Sequence, residues 1–320
     1  MTMAVFLRKK QLFYMFLLVL VILLYLYIDP FKSKIKRRHL NQKPILKSQA
    51  NIPKLMVSFK GRTGNNMFCY ATLIGVSRRN NLLPVISADN YLWEFFNLPA
   101  QVGNLGDLGD YKYYEEKMVA SYDRHTEHLG PYNTYIDGYF QSWKYFENVR
   151  KELITKHFVF HDDISQAADQ FIRDAVALKK KQGAFIIGVH VRRGDFVRQR
   201  SKGFTAAPVS YYYKAMNYFR RKYSNILFIM ISNDVYWAED NLDQGPDVYY
   251  SHNTPDQVSL DLAVMIKCNH TVITSGTFSW WVAYLSGGDV VYYHLFPEPG
   301  TKIANMTVRA DYYPPHWVPL

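Results

Sequence analysis

The sequence predicts an α/β protein with a parallel sheet in its carboxyl half. Three observations carry this. From Ile164 onward, short apolar runs alternate with helix-length ones, the spacing of βαβ units. The apolar runs, such as Ala184-Phe185-Ile186-Ile187-Gly188-Val189, lack the polar alternation of a half-exposed strand and suit strands covered on both faces. Near residue 60 a strand-like run, a glycine-bearing turn and a helix-like run follow one another, a nucleotide-type unit. At 320 residues the chain exceeds one average core, so one large or two medium domains are expected.

Residues 1–11 form a basic tail, followed from Leu12 to Ile28 by 17 apolar and aromatic residues, the short end of a bilayer-spanning helix. The run is long for a signal-peptide core and is followed by Asp29-Pro30-Phe31 instead of small residues, so it reads as an uncleaved membrane anchor helix. Basic residues flank both ends, so charge alone does not orient it. Residues 29–53 are basic, polar and proline-bearing and read as a stem. Eight basic residues against Asp29 within the first 40 positions hold +7 of the net charge of +11. The remainder, near +4, is not the charge of a nucleic-acid binder.

Leu55 to Phe59 reads as a strand, Gly61 to Asn65 as a turn, Asn66 to Arg79 as a helix and Leu83 to Ser87 as a second strand. The aromatic-rich stretch up to Ile154 has no regular period. Beyond it the pattern gives a helix from Ile164 to Lys181, a strand from Phe185 to His190, a helix from Ser210 to Tyr223, a strand from Ile226 to Ile231 and a helix from Tyr236 to Leu242. It continues with strand Val248–Ser251, helix Gln257–Cys268, strand Thr271–Thr274, helix Thr277–Leu285 and strand Val290–Tyr293. This carboxyl half is Rossmann-like. Cys69 and Cys268 are too few for a disulfide framework and sit in apolar contexts suited to buried thiols. Two sequons begin at Asn269 and Asn305; a lumenal domain would accept glycans there, more readily at Asn305 in its turn-like polar segment.

Chemistry is expected where these strands end. His190-Val191-Arg192-Arg193-Gly194-Asp195 places two guanidiniums after a buried strand, forks matched to phosphate oxygens. Asp195 beside them has its basicity lowered and orients them; His190 reads as a supporting hydrogen-bond donor. Gly61-Arg62-Thr63-Gly64-Asn65 and Ser275-Gly276-Thr277-Phe278 are glycine-bearing turns entering helices, where free amides can meet an anion. Ser232-Asn233-Asp234 either contacts sugar hydroxyls or caps the next helix. Asp261 interrupts an apolar helix and could accept from the paired donors of guanine, or face water or an arginine. The sequence has no Asp-x-Asp metal motif, zinc spacing, Walker loop or Gly-x-Gly-x-x-Gly. No metal or resident cofactor is expected, and arginines would take a metal's role.

The stretch from Gly61 to Phe68 with Tyr70-Ala71-Thr72, the run from His190 to Asp195, and the segments Asp261-Leu262-Ala263, Cys268 to Thr271, Gly276-Thr277-Phe278 and Ala283 to Asp289 resemble the galactoside α-1,2-fucosyltransferases from about Leu55 to the end of the chain. The resemblance implies a GT-B-like fold of two Rossmann-type lobes, 54–160 on the acceptor side and 161–320 binding GDP-fucose. It implies metal-free, inverting transfer of fucose to the 2-hydroxyl of a terminal galactose on a glycan, in the Golgi lumen behind a single-pass type II membrane anchor. Arg192, Arg193 and Asp195 inherit the catalytic grip on the donor pyrophosphate. His190, Gly61, Arg62, Gly64, Asn65, Ser232, Asn233, Asp234, Asp261, Ser275, Gly276, Thr277 and Phe278 are expected to shape donor binding. The chain departs from vertebrate members at Asn65-Asn66, where they carry Asn-Gln, and at Gly203 to Pro208. A fucosyltransferase of another linkage or acceptor, and a non-catalytic membrane-tethered glycan-binding protein, are the alternatives.

Overall fold

Strand β1 (Lys54–Val57) is buried along most of its length and lies at the centre of the amino-terminal sheet. The computed structural model containing it describes residues 51–242 and 244–320. The expected tail, anchor and all but the last residues of the stem lie outside the described residues. Helix α1 (Thr63–Asn80) follows β1 and buries an almost continuous face. It starts three residues earlier than its apolar pattern implied. With β2 (Leu83–Ile86), β3 (Gln101–Val102), β4 (Lys112–Glu115) and β5 (Thr134–Asp137), β1 forms an all-parallel sheet in the order β3-β2-β1-β5-β4. Three of these strands lie in the stretch without apolar period. They are short or, like Lys112-Tyr113-Tyr114-Glu115, read as polar.

The carboxyl half follows its pattern to within a few residues. Helix α2 (Asp162–Leu178) precedes β6 (Phe185–Val191), and α3 (Gly194–Arg198) and α4 (Val209–Lys222) lead to β7 (Ile226–Ser232). Then come α5 (Val235–Asn241), β8 (Val248–Tyr250), α6 (Val258–Ile266), β9 (His270–Ile273), α7 (Thr277–Ser286) and β10 (Val290–Tyr292), with α8 (Lys302–Asn305), α9 (Arg309–Tyr312) and β11 (Val318–Pro319) closing the chain. The second sheet is likewise parallel, in the order β11-β10-β9-β6-β7-β8.

Each strand order reverses once, between β1 and β5 in the first sheet and between β6 and β9 in the second. Such reversals open a crevice at the carboxyl ends of the strands. The two sheets share one continuous hydrophobic core. Its centre is aromatic: Phe68 of α1 packs 4.5 Å from Trp280 and 5.1 Å from Trp281 of α7, and Phe146 stacks on Trp281 at 5.4 Å. Each such ring pair contributes on the order of 1 kcal/mol beyond simple burial.

Helices α1 and α7 touch through backbone at Gly64. Trp281 Nε1 donates to the Gly64 carbonyl at 2.9 Å, and a Cβ on Gly64 would lie 2.5 Å from the carbonyl carbon of Thr277. Gly64 is therefore needed for helix crossing, a requirement its glycine turn does not show in the sequence. Gly64→Ala should destabilise the protein by about 3 kcal/mol, the upper end for overpacking a rigid contact; urea unfolding followed by tryptophan fluorescence measures it.

Candidate functional site

The ends of β1, β6, β7 and β9 bring Arg62, Asn65, Arg192, Arg193, Asp195, Ser232, Asn233 and Thr277 together, while Asp261 sits apart from these contacts in α6. Beyond β6, Gly194 adopts φ +34 and a side chain there would collide with Asn233 Nδ2 at 2.3 Å, so the turn after the two arginines requires glycine. The neighbouring strand ends pin that turn. Asn233 Oδ1 accepts the Arg193 N–H at 2.9 Å, the Ser232 hydroxyl donates to the Val191 carbonyl at 3.0 Å, and Thr274 Oγ1 accepts the Arg192 N–H at 3.2 Å. Ser232 and Asn233 thus hold the arginine turn, and Ser232 Oγ also accepts the Asp234 N–H at 2.9 Å where α5 begins. Asp234 occupies the N-cap position of α5 without a capping bond from its side chain, and lies 3.9 Å from Arg193 Nε.

The two arginines differ. Arg192 Nη2 lies 2.8 and 2.9 Å from the two carboxylate oxygens of Asp195. On the other side Asp195 meets Arg62 Nη2 at 3.2 Å, so one carboxylate joins a guanidinium from each sheet. Arg62, its side chain 78% exposed, stands where β1 turns through Gly61 into α1. Arg193 lies over Trp237, its guanidinium carbon 3.4 Å from the ring centroid, and its buried Nε has no hydrogen-bond partner.

A second bridge runs beside the first. Asn65 Oδ1 accepts from Thr277 Oγ1 at 2.9 Å and from Gln141 Nε2 at 3.1 Å. The Thr277 hydroxyl is thereby occupied, and Ser275 Oγ donates to the Thr205 carbonyl at 2.6 Å. Neither hydroxyl is left for the anion cradle expected of them. What remains is the start of α7, where Gly276 is an N-cap without a side-chain capping bond and the first-turn amides have no acceptor within the helix.

His190 lies beneath this rim. It is buried, its Nδ1 is 2.5 Å from Ser279 Oγ, and its ring rests on Phe278 at 5.0 Å. Burial, with the Arg192 charge adding, pushes its pKa down to about 3. His190 and Phe278 therefore brace α7 against β6, the supporting position expected of the histidine. Asp261, half-buried in the first turn of α6, accepts from Asn253 Nδ2 at 2.7 Å, and burial pushes its carboxyl up to about 6.

Sequence reasoning missed Glu116 and Gln141. Glu116 follows β4 and accepts the N–H groups of Tyr139 and Phe140 at 2.6 and 2.7 Å, holding Phe140 at φ +50 so that Gln141 reaches Asn65. Burial pushes the Glu116 carboxyl up to about 8, against the lowering by those two amides. Its signal was hidden because β4 itself was not recognised. Cys69 and Cys268 are free and buried, with thiols pushed up to about 12. Asn269 lies at the amino edge of β9, its Oδ1 accepting the Ile186 N–H at 2.8 Å, whereas Asn305 is exposed at the end of α8.

His190 yields a prediction of sign. Its folded pKa is depressed below the ordinary 6.5, so stability present above pH 6.5 is lost as pH falls toward 3. Relative to His190→Gln, the protein should lose about 1.4 kcal/mol more per pH unit over that window; urea midpoints from pH 7 to 4 measure the difference in slope.

Residues 28–320 match Glycosyl transferase family 11. The chain is 31% identical over 268 residues to galactoside 2-alpha-L-fucosyltransferase Sec1 of Mus musculus, covering 82% of this chain and 72% of that protein. It is 30% identical over 263 residues to galactoside alpha-(1,2)-fucosyltransferase 2 of Hylobates lar, covering 80% and 76%. Among solved structures, NodZ alpha-1,6-fucosyltransferase soaked with GDP-fucose shares the fold, with a TM-score of 0.51 at 12% identity over 76% of this chain and 96% of that one.

Proposed function

The chain belongs to glycosyl transferase family 11, and from that membership we propose that it moves fucose from GDP-fucose to the 2-hydroxyl of a terminal galactose on a glycan, with inversion. The observation that carries this reading is the likeness to galactoside α-1,2-fucosyltransferases over most of both chains. The site suits the reaction. As the bond between the fucose anomeric carbon and the β-phosphate oxygen breaks, the electron pair and negative charge pass to GDP while the acceptor hydroxyl closes from the opposite face and gives its proton to a general base. Arg192, Arg62 and the first amides of α7 stand where they can stabilise that charge. Asp195 orients both guanidiniums until a diphosphate replaces it as their partner, and Asp261 receives the guanine edge.

In this reading the second sheet carries the donor and the first presents the acceptor, and no metal is required because the guanidiniums and helix amides supply the counter-charge. Residues 12–28 are the proposed anchor, holding the catalytic part in the Golgi lumen as a single-pass type II membrane protein; support for this is the apolar run itself.

Of the paired arginines, Arg192 carries the grip, because it is the one that shares Asp195 with the opposite sheet. Arg192→Lys should lower kcat about 100-fold or more, since a point charge cannot reproduce a fork, with a smaller loss for Arg193→Lys; equal losses in GDP-release assays with a galactose-terminated acceptor would overturn the assignment. Asp261→Ala should cut the preference for GDP over ADP, measured as competing inhibitors, by about tenfold or more.

A further inference from the structure

The first sheet has one thick face and one thin face. Leu55, Val57 and Ile136 enter the main core beneath α1, whereas Met56, Leu83, Val85 and Tyr135 face the other way under a small cap built around Leu108. That cap stops short of edge strand β4. Beyond it Tyr111 and Tyr113 are 42% and 56% exposed. Tyr135, on β5 directly opposite Tyr113, lies 6.0 Å from Tyr111 and stacked 6.1 Å from Tyr113, so three rings form one contiguous patch across β4 and β5.

Both ends of the patch are polar. Toward the cleft, Tyr113 Oη donates to Asp137 Oδ2 at 3.1 Å, and Asp137 pairs with Lys60, which immediately precedes the Gly61-Arg62 turn. At the amino edge Tyr111 lines a depression of about 500 Å³ together with Lys54, Asp110, Lys112, Tyr132 and Asn133. There Tyr132 is 50% exposed, with Lys112 Nζ over its ring at 3.7 Å. The volume lies within the range of small-ligand sites. Contiguous exposed rings, unlike scattered ones, mark a surface that binds something.

We propose that this stripe and depression are an extended acceptor subsite, binding the inner sugar units of an oligosaccharide whose terminal galactose is presented at the cleft. The proposal rests on the transferase reading above. Three features select a neutral glycan over a protein segment. Three partly exposed rings within about 6 Å of their neighbours give apolar surface for the C–H faces of sugar rings. Each ring carries a hydroxyl at its margin, and paired charges at the two ends offer both donors and acceptors to sugar hydroxyls. The stripe is also continuous, through Asp137 and Lys60, with the turn that carries Arg62.

The test compares a β-galactoside disaccharide with a hexasaccharide bearing the same terminal unit, using the full chain and GDP-fucose. The hexasaccharide should show a KM about fivefold to tenfold lower, the worth of one or two ring contacts. Tyr111→Ala and Tyr132→Ala should abolish that advantage while leaving kcat, the GDP-fucose KM and the disaccharide KM unchanged, and Tyr111→Phe should retain it. Equal KM values for the two acceptors in the unmodified protein, or parallel losses on both in the variants, would overturn the subsite but not the activity. If no galactoside is fucosylated the transferase reading itself falls. Saturation-transfer NMR with the hexasaccharide alone then decides the stripe: binding lost in Tyr111→Ala supports it, and absence of binding overturns it.

Discussion

The crossing of α1 and α7 at Gly64 is the constraint on which the rest of the molecule depends. Two helices from different sheets meet there at backbone distance, because one position has no side chain and a tryptophan N–H closes on its carbonyl. The first turns of both helices are thereby set side by side, and those turns carry Arg62, Asn65 and Thr277. The Arg62–Asp195 and Asn65–Thr277 bridges follow from it. A helix start that is free to slide could not hold two polar bridges within hydrogen-bond distance at once.

Around that crossing, polar side chains are mostly committed to scaffolding. Thr274, Asn233 and Ser232 hold the arginine turn, Ser275 holds the Thr205 loop, and Glu116 holds the turn that delivers Gln141. Around the arginine turn, guanidiniums and backbone amides are what remain for an anion. That division suits a site that must neutralise a departing anion without rearranging as it forms.

The second sheet was legible in the sequence because its strands are buried on both faces and its helices keep their spacing. The arginine turn, the glycine turns and Asp261 were legible as residues at strand or helix ends. What escaped was decided by tertiary contact. Strand β4 reads Lys-Tyr-Tyr-Glu because one of its faces is thinly covered, and without β4 neither Glu116 nor the tyrosine patch has a position. The serine and threonine near the site look like ligand contacts in one dimension. Their partners lie 70 to 212 residues away in the chain, a separation that local pattern cannot reveal.

The aromatic cluster that fuses the two sheets also bears on motion. A hinge between halves needs an interface that can part without exposing rings to water. Here Phe68, Phe146, Trp280 and Trp281 are fully enclosed, so rigid-body opening would surrender several ring contacts at once. Admission of substrate and departure of product then fall to short segments at the strand ends, such as the turn through Gly194, whose rearrangement disturbs little of the interior. The pace of turnover would be set at the rim.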